Sequence, residues 1–213
     1  MIRAVLWDFG GVLTTSPFEA FNRYEREHGY PIDFLRTINA TNPETNAWAQ
    51  LEASLITPQE FDQAFENEFR AAGHAVAGSA VLALLSGDIR PRMVEALRRC
   101  KQKFAVACLT NNVSAGEGPG MARTHQKAHA VSEVMSLFDL IVESSKEGIR
   151  KPNPAFYLLA CERLGIEPEQ AIFLDDLGIN LKPARTLGMQ TIKVLNEAQA
   201  LDELAQISGI PMD

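Results

Sequence analysis

The stretch AVLWDFGGVLT, residues 4–14, sets how the rest of the chain is read. Its first residues are apolar at consecutive rather than alternate positions, so the strand they predict is covered on both faces. An aspartate and a glycine pair then end the run. The pattern recurs in FAVACL at 104–109, DLIV at 139–142, AIFL at 171–174 and QTIKV at 190–194. Each run leads into a turn and a segment of helical character, and such alternation predicts an α/β fold with a doubly wound, Rossmann-like parallel sheet. RPRMVEALRRC at 90–100 carries Pro91 in its first turn, and NPAFYLLACERLG at 153–165 closes on Gly165, a glycine placed to cap a helix.

Between the first two strands, residues 15–87 hold no strand-like run. They hold amphipathic helical patterns, most clearly TPQEFDQAFENEFRAAG at 57–73, where Thr57 is a cap, Pro58 takes the first helical position and Glu60 completes a capping box. A segment this long is not a connecting loop. The expected organisation is a core made of 1–14 and 88–213, with an inserted helical subdomain over 15–87. A further stretch, VSAGEGPGMARTHQ at 113–126, is expected to form a mobile loop after the second strand.

Composition narrows the function classes. The chain has 213 residues, 46% hydrophobic and 22% charged, which suits a soluble globular protein and excludes disordered, collagen-like and disulfide-stapled chains. Twenty basic residues against 27 acidic ones leave a formal charge of −7, so the field that drives binding to nucleic acid is missing. Ten of the acids and only four arginines fall within 15–87, a bias that fits a solvated acidic face. No apolar run approaches the roughly 20 residues that cross a bilayer. The start, MIRAVLWDFGG, lacks the pattern of a secretory signal, so a cytoplasmic location without membrane partners is expected. Cys100, Cys108 and Cys161 sit in apolar stretches without CxxC spacing and read as buried thiols.

In an open parallel sheet, ligands bind beyond the carboxyl ends of the strands, where the strand order switches. The residues after each apolar run are therefore the informative ones. Asp8 and Gly10–Gly11 follow the first, Thr110, Asn111 and Asn112 the second, and Lys146, Arg150, Lys151 and Pro152 come soon after the third. The fourth ends in Asp175, Asp176, Leu177, Gly178 and Asn180. Carboxylates gathered in one volume repel unless a cation lies between them, and oxygen-only donors suit a hard ion such as Mg²⁺. Taken alone, Asp8 is also readable as a cap on the Gly10–Gly11 turn, and Lys151 as a solvated loop lysine.

In this order DFGGVLT, LTNN, RKPNP and FLDDLGINLKPARTLGM resemble the motifs of the haloacid dehalogenase-like hydrolase superfamily. A helical segment directly after the first motif resembles the cap of its first subclass. Within the superfamily the chain is similar to the phosphatase-like N-terminal domain of soluble epoxide hydrolase and to a domain of some acyl-CoA dehydrogenase fusion proteins. The resemblance implies that Asp8 is a nucleophile forming an aspartyl-phosphate, with Thr110 and Lys151 as its catalytic companions. It implies Mg²⁺ held by Asp8, the main-chain carbonyl of Gly10 and Asp176, with Asp175 acting directly or through water. Thr110, Gly11, Asn111, Asn112 and Asn180 are implied around the phosphoryl group, and Asn180 is also readable as the partner of Asp175 or as a helix N-cap. The implied substrate is a small phosphorylated molecule.

One position departs from that pattern. Phosphatases of the superfamily have an aspartate two residues after the nucleophile, which protonates the leaving oxygen; here the residue is Gly10. Such groups contribute about 10²–10⁴-fold, so slow turnover of alkyl phosphates and faster turnover of acyl or aryl phosphates are expected. Two other readings stay open: a phosphate-binding or interaction protein with little turnover, and a 2-haloacid dehalogenase whose halide pocket uses Arg23, Arg26 or Arg36. A phosphonate-cleaving branch needs a cap lysine, and 15–87 contains none. Phe18, Phe21, Tyr24, Phe34 and Trp48 are expected mainly as the core of the helical subdomain, and secondarily as an apolar wall. His28, His74, His125 and His129 show no metal-ligand spacing.

Overall fold

The computed structural model describes residues 1–112 and 125–212. Of the loop expected at 113–126, all but the helical backbone of the last two residues lies outside the described residues. Strands β1 (Ala4–Trp7), β2 (Ala105–Thr110), β3 (Leu140–Glu143), β4 (Ala171–Asp175) and β5 (Gln190–Lys193) form one parallel sheet in the order β3-β2-β1-β4-β5. Between β1 and β2 the chain forms α1 (Pro17–His28), α2 (Phe34–Asn39), α3 (Ala47–Glu52), α4 (Pro58–Ala71), α5 (Gly78–Leu82) and α6 (Pro91–Lys101). Later come α7 (His125–Met135), α8 (Ser144–Glu147), α9 (Pro154–Leu164), α10 (Gly178–Thr186) and α11 (Glu197–Ser208). None of the described helices is long and apolar enough to cross a membrane.

Consecutive apolar residues make sense because both sheet faces are covered. Val5, Trp7, Val106, Cys108, Ile172 and Leu174 pack on one face with α6, α7 and α11, while Leu6, Ala107, Leu109 and Phe173 pack on the other with α9 and α10. Each large apolar side chain buried this way stabilises the fold by about 1.5–3 kcal/mol. β2 starts one residue later than the apolar run, because the main-chain N–H of Phe104 closes the turn after α6 by bonding Cys100 O at 2.9 Å. β4 runs on to Asp175, whose carbonyl accepts from Val194 N at 3.0 Å.

The helical insertion has a core of its own. Phe61, Phe65 and Phe69 recur every fourth residue along α4 and are fully buried, packed with Phe21, Phe34 and Leu51. Thr57 and Glu60 form the capping box: Glu60 N donates to Thr57 Oγ1 at 3.2 Å and Thr57 N to Glu60 Oε2 at 2.8 Å. The insertion joins the sheet through a narrow neck, where Thr14 bridges Ile89 and Thr15 N donates to Asp88 O at 2.8 Å.

Candidate active site

β1 is the central strand, with β2 on one side and β4 on the other, so the switch in strand order falls at its carboxyl end. Register pairs Trp7 with Leu174, and Asp8 N donates to Leu174 O at 2.9 Å, which brings Asp8 alongside Asp175. Between them lies Lys151, 1% exposed, its Nζ at 2.9 Å from Asp8 Oδ1 and 2.8 Å from Asp175 Oδ2. Asp175 is fully buried and its oxygens also accept from Leu177 N at 2.8 Å and from Asn180 Nδ2 at 3.0 and 3.1 Å. Asp176 accepts from Ser16 Oγ at 3.3 Å. The three aspartates each offer an oxygen within 4.8 Å of the others.

This arrangement is short of positive charge. Burial, reinforced by Asp175 and Asp176 and opposed by Lys151, holds the Asp8 carboxyl well above the usual carboxylate range. Burial and Asp175 push Asp176 up to about 6. Burial acts to lower the Lys151 pKa, but Asp175 and Asp8 outweigh it and keep the ammonium charged. One ammonium among three carboxylates leaves an excess of negative charge that a divalent cation would offset. The donors are all oxygens, so a hard ion such as Mg²⁺ fits them. Asp175 already has several donors, whereas Asp8 and Asp176 hold more open oxygen, so these two are the residues best placed to hold it directly.

Both glycines of the first motif have distinct surroundings. Gly11 has φ 77°, and a methyl group there would lie 2.2 Å from Asp176 Oδ2, so only glycine lets Asp176 approach. The structure thus gives Gly11 a packing role, with its carbonyl accepting from Arg90 at 3.1 Å. A Cβ on Gly10 would meet nothing within 4 Å, so a larger residue has room there.

The β2 residues divide between the site and the scaffold. Thr110 and Asn111 line a cavity of about 1100 Å³ together with Asp8, Gly10, Lys151, Asp176 and Asn180. Asn111 uses its carboxamide on the main chain of Lys151, donating to its carbonyl and accepting from its N–H, both at 2.9 Å. Asn112 is turned away: Nδ2 donates to Glu143 Oε2 at 2.7 Å, while Oδ1 accepts from Ser145. Its side chain ties β2 to the end of β3 and does not reach the cavity. Asn180 faces Asp175; the N-cap position of α10 belongs to Leu177, so the capping role does not hold. The exposed Lys146 pairs with the buried Glu143, and Arg150 pairs with Glu52 of α3 at 2.7 Å.

Phe18, Phe21 and Trp48 line the cavity while also packing in the insertion core; Tyr24 and Phe34 serve that core alone. Arg36 reaches the cavity over the Phe18 ring, whereas Arg23 and Arg26 are exposed outside it. His28 stacks on Tyr24, His74 meets Phe34 edge to face, and His129 is an exposed partner of Glu133. All three cysteines are buried and free, and burial raises their thiol pKa values. Sequence reading missed Ser16, Glu52 and Tyr157, whose hydroxyl donates to Asn180 O at 2.7 Å. Ser16 was findable as the N-cap before Pro17; Glu52 and Tyr157 carry no local signal.

The chain belongs to the haloacid dehalogenase-like hydrolase family, whose model matches residues 2–188. It is therefore a hydrolase of that superfamily. It is 33% identical over 216 residues to mouse acyl-CoA dehydrogenase family member 10, covering 99% of this chain and 19% of that protein. It is 30% identical over 219 residues to mouse bifunctional epoxide hydrolase 2, covering 98% of this chain and 39% of that protein. It thus spans well under half the length of these relatives. A sesquiterpene phosphatase of Aspergillus oryzae matches at 27% identity over 210 residues and 97% of each chain. Among solved structures, a family enzyme of Bacteroides thetaiotaomicron in complex with magnesium and inorganic phosphate shares the fold, with a TM-score of 0.57 at 23% identity over 90% of this chain and 93% of that one.

Proposed function

We propose that this hydrolase is a Mg²⁺-dependent phosphatase that works through an aspartyl-phosphate on Asp8. The observation that carries the reading is the set of three aspartates with oxygens within 4.8 Å of one another, the buried Asp8 and Asp175 bridged by Lys151 and the half-buried Asp176 beside them. Asp8 attacks phosphorus; its Oδ–P bond forms as the bond to the leaving oxygen breaks, and that oxygen departs with the electron pair. Water then attacks the phosphorus, returning the Asp8 carboxylate and releasing inorganic phosphate. Lys151 offsets the charge shared by Asp8 and the phosphoryl group, and Thr110 donates to a phosphoryl oxygen. Asp175 fixes Lys151 and Asn180 in place. Asp8 and Asp176, with the Gly10 carbonyl, would hold Mg²⁺, which would supply the remaining positive charge.

Gly10 leaves the departing oxygen without a proton donor at that position, so turnover is reduced and leaving groups that are stable anions are favoured. Residues 15–87 act as a cap over the cavity and exclude water. Phe18, Phe21 and Trp48 give the cavity an apolar wall, which suits a phosphorylated molecule with an apolar body, in keeping with similarity to a sesquiterpene phosphatase. Buried free thiols suit a reducing compartment such as the cytoplasm. The test is steady-state phosphate release from acetyl phosphate and para-nitrophenyl phosphate with and without Mg²⁺. Metal-dependent release supports the reading; no phosphate from either leaves a phosphate-binding protein, and chloride release from a 2-haloacid without metal marks a dehalogenase.

A further inference from the structure

The helical insertion sends one buried acid across to the sheet. Glu52, the last residue of α3, is 8% exposed and accepts from Arg150 Nη1 at 2.7 Å, Trp48 Nε1 at 2.9 Å and Asn111 Nδ2 at 3.4 Å. Two of these donors belong to the sheet domain, and both lead to the same place. Arg150 immediately precedes Lys151 in the chain, and Asn111 grips the N–H and carbonyl of Lys151 itself, each at 2.9 Å. Lys151 in turn bridges Asp8 and Asp175. A continuous line of bonds therefore runs from the insertion to the nucleophile. An acid buried without partners is costly; Trp48 lies on the same helix, so the donors that Glu52 finds only while the insertion is seated on the site are Arg150 and Asn111.

Resting on the phosphatase reading above, we infer that Glu52 is a positioning residue: its carboxylate holds Arg150 and Asn111, and through them the main chain that aims Lys151 at Asp8 and Asp175. Seating of the helical insertion and alignment of the charge clamp are then one event. Glu52 touches no reacting atom. Its effect is on placement, which is where small displacements change rates.

The experiment compares Glu52→Gln, Arg150→Gln and Ser54→Ala in the full chain. Ser54 Oγ donates to Ser145 O at 2.9 Å, so it joins the insertion to the sheet without touching the Lys151 limb. With Mg²⁺ and acetyl phosphate, Glu52→Gln and Arg150→Gln are each expected to lower kcat about tenfold with KM within about twofold. Hydrogen exchange at the Lys151 amide, read by NMR, is expected to quicken about tenfold in both variants. Ser54→Ala is expected to leave kcat and that exchange unchanged. Folded Glu52→Gln or Arg150→Gln protein with the parent's kcat and Lys151 exchange overturns the inference, as does a Ser54→Ala loss equal to that of Glu52→Gln. If the parent releases no phosphate, the phosphatase reading fails by itself, and the Lys151 exchange still decides whether Glu52 holds that chain.

Discussion

The helical insertion and the carboxyl end of the sheet both bury acids, with opposite consequences. In the insertion, Glu25 is 2% exposed, and its oxygens accept the main-chain N–H of Leu35 at 2.8 Å and of Asp33 at 2.9 Å. Asn46 there caps α3 and donates to the carbonyls of Asn39 and Thr41. Each polar group is absorbed by backbone, the ordinary way to bury one. At the carboxyl end of the two interior strands β1 and β4, Asp8, Asp175 and Asp176 lie around a single ammonium, and burial raises Asp8 and Asp176. Like charges gathered this way oppose folding. The contrast separates acids that hold a chain in place from acids kept close for chemistry.

The largest test of that contrast pairs one acid from each region. Asp8→Asn is expected to lower phosphate release on the order of 10³-fold or more. Glu25→Gln is expected to leave kcat unchanged and to lower unfolding free energy by about 1–3 kcal/mol, measured in urea. Next in size, saturating Mg²⁺ is expected to stabilise the parent by about 2.7 kcal/mol at a hundred times Kd. Asp176→Asn is expected to abolish that gain in thermal unfolding with and without EDTA. Third, Gly10→Asp, for which the backbone has room, is expected to raise alkyl-phosphate turnover at least about tenfold while changing acetyl phosphate less. An unchanged alkyl-phosphate rate in a folded, magnesium-loaded variant removes the missing-acid account.

The smallest effect belongs to the insertion. Thr57→Ala removes the capping box and is expected to lower stability by about 1 kcal/mol with kcat unchanged. Hydrogen bonds from the Thr57 main chain and hydroxyl hold the Glu60 carboxyl below its ordinary value. That contribution is present above the unfolded-state pKa of Glu60 and is lost as pH falls through the lowered folded one. An acid titration of unfolding should therefore show a shallower slope in Thr57→Ala than in the parent.

The sheet was legible because β1, β2 and β4 are apolar at consecutive positions, a pattern that suits a layer covered on both sides, whereas the edge strand β5 buries only Ile192. The helix at Pro58–Ala71 announced itself through Thr57, Pro58 and Glu60. At the site, Asp8, Lys151, Asp175 and Asp176 could be read as neighbours because parallel strands bring their carboxyl ends level. Asn112, expected around the phosphoryl group, is instead bonded to Glu143 and Ser145. Whether a strand-end side chain faces the cavity or the sheet depends on what the next strand offers, and here Glu143 and Ser145 draw it away. Glu52 was hidden for a related reason: it is one of ten acids in the insertion, and only Arg150 and Asn111 across the interface single it out.

The most direct measurement is a crystal structure of the protein with Mg²⁺ and beryllium fluoride, a mimic of a phosphoryl group on a carboxylate. The account predicts beryllium bonded to an Asp8 oxygen, the cation held by Asp8 and Asp176, and Lys151 Nζ against the fluorides. Beryllium on another residue, or a cation held away from these aspartates, would contradict it.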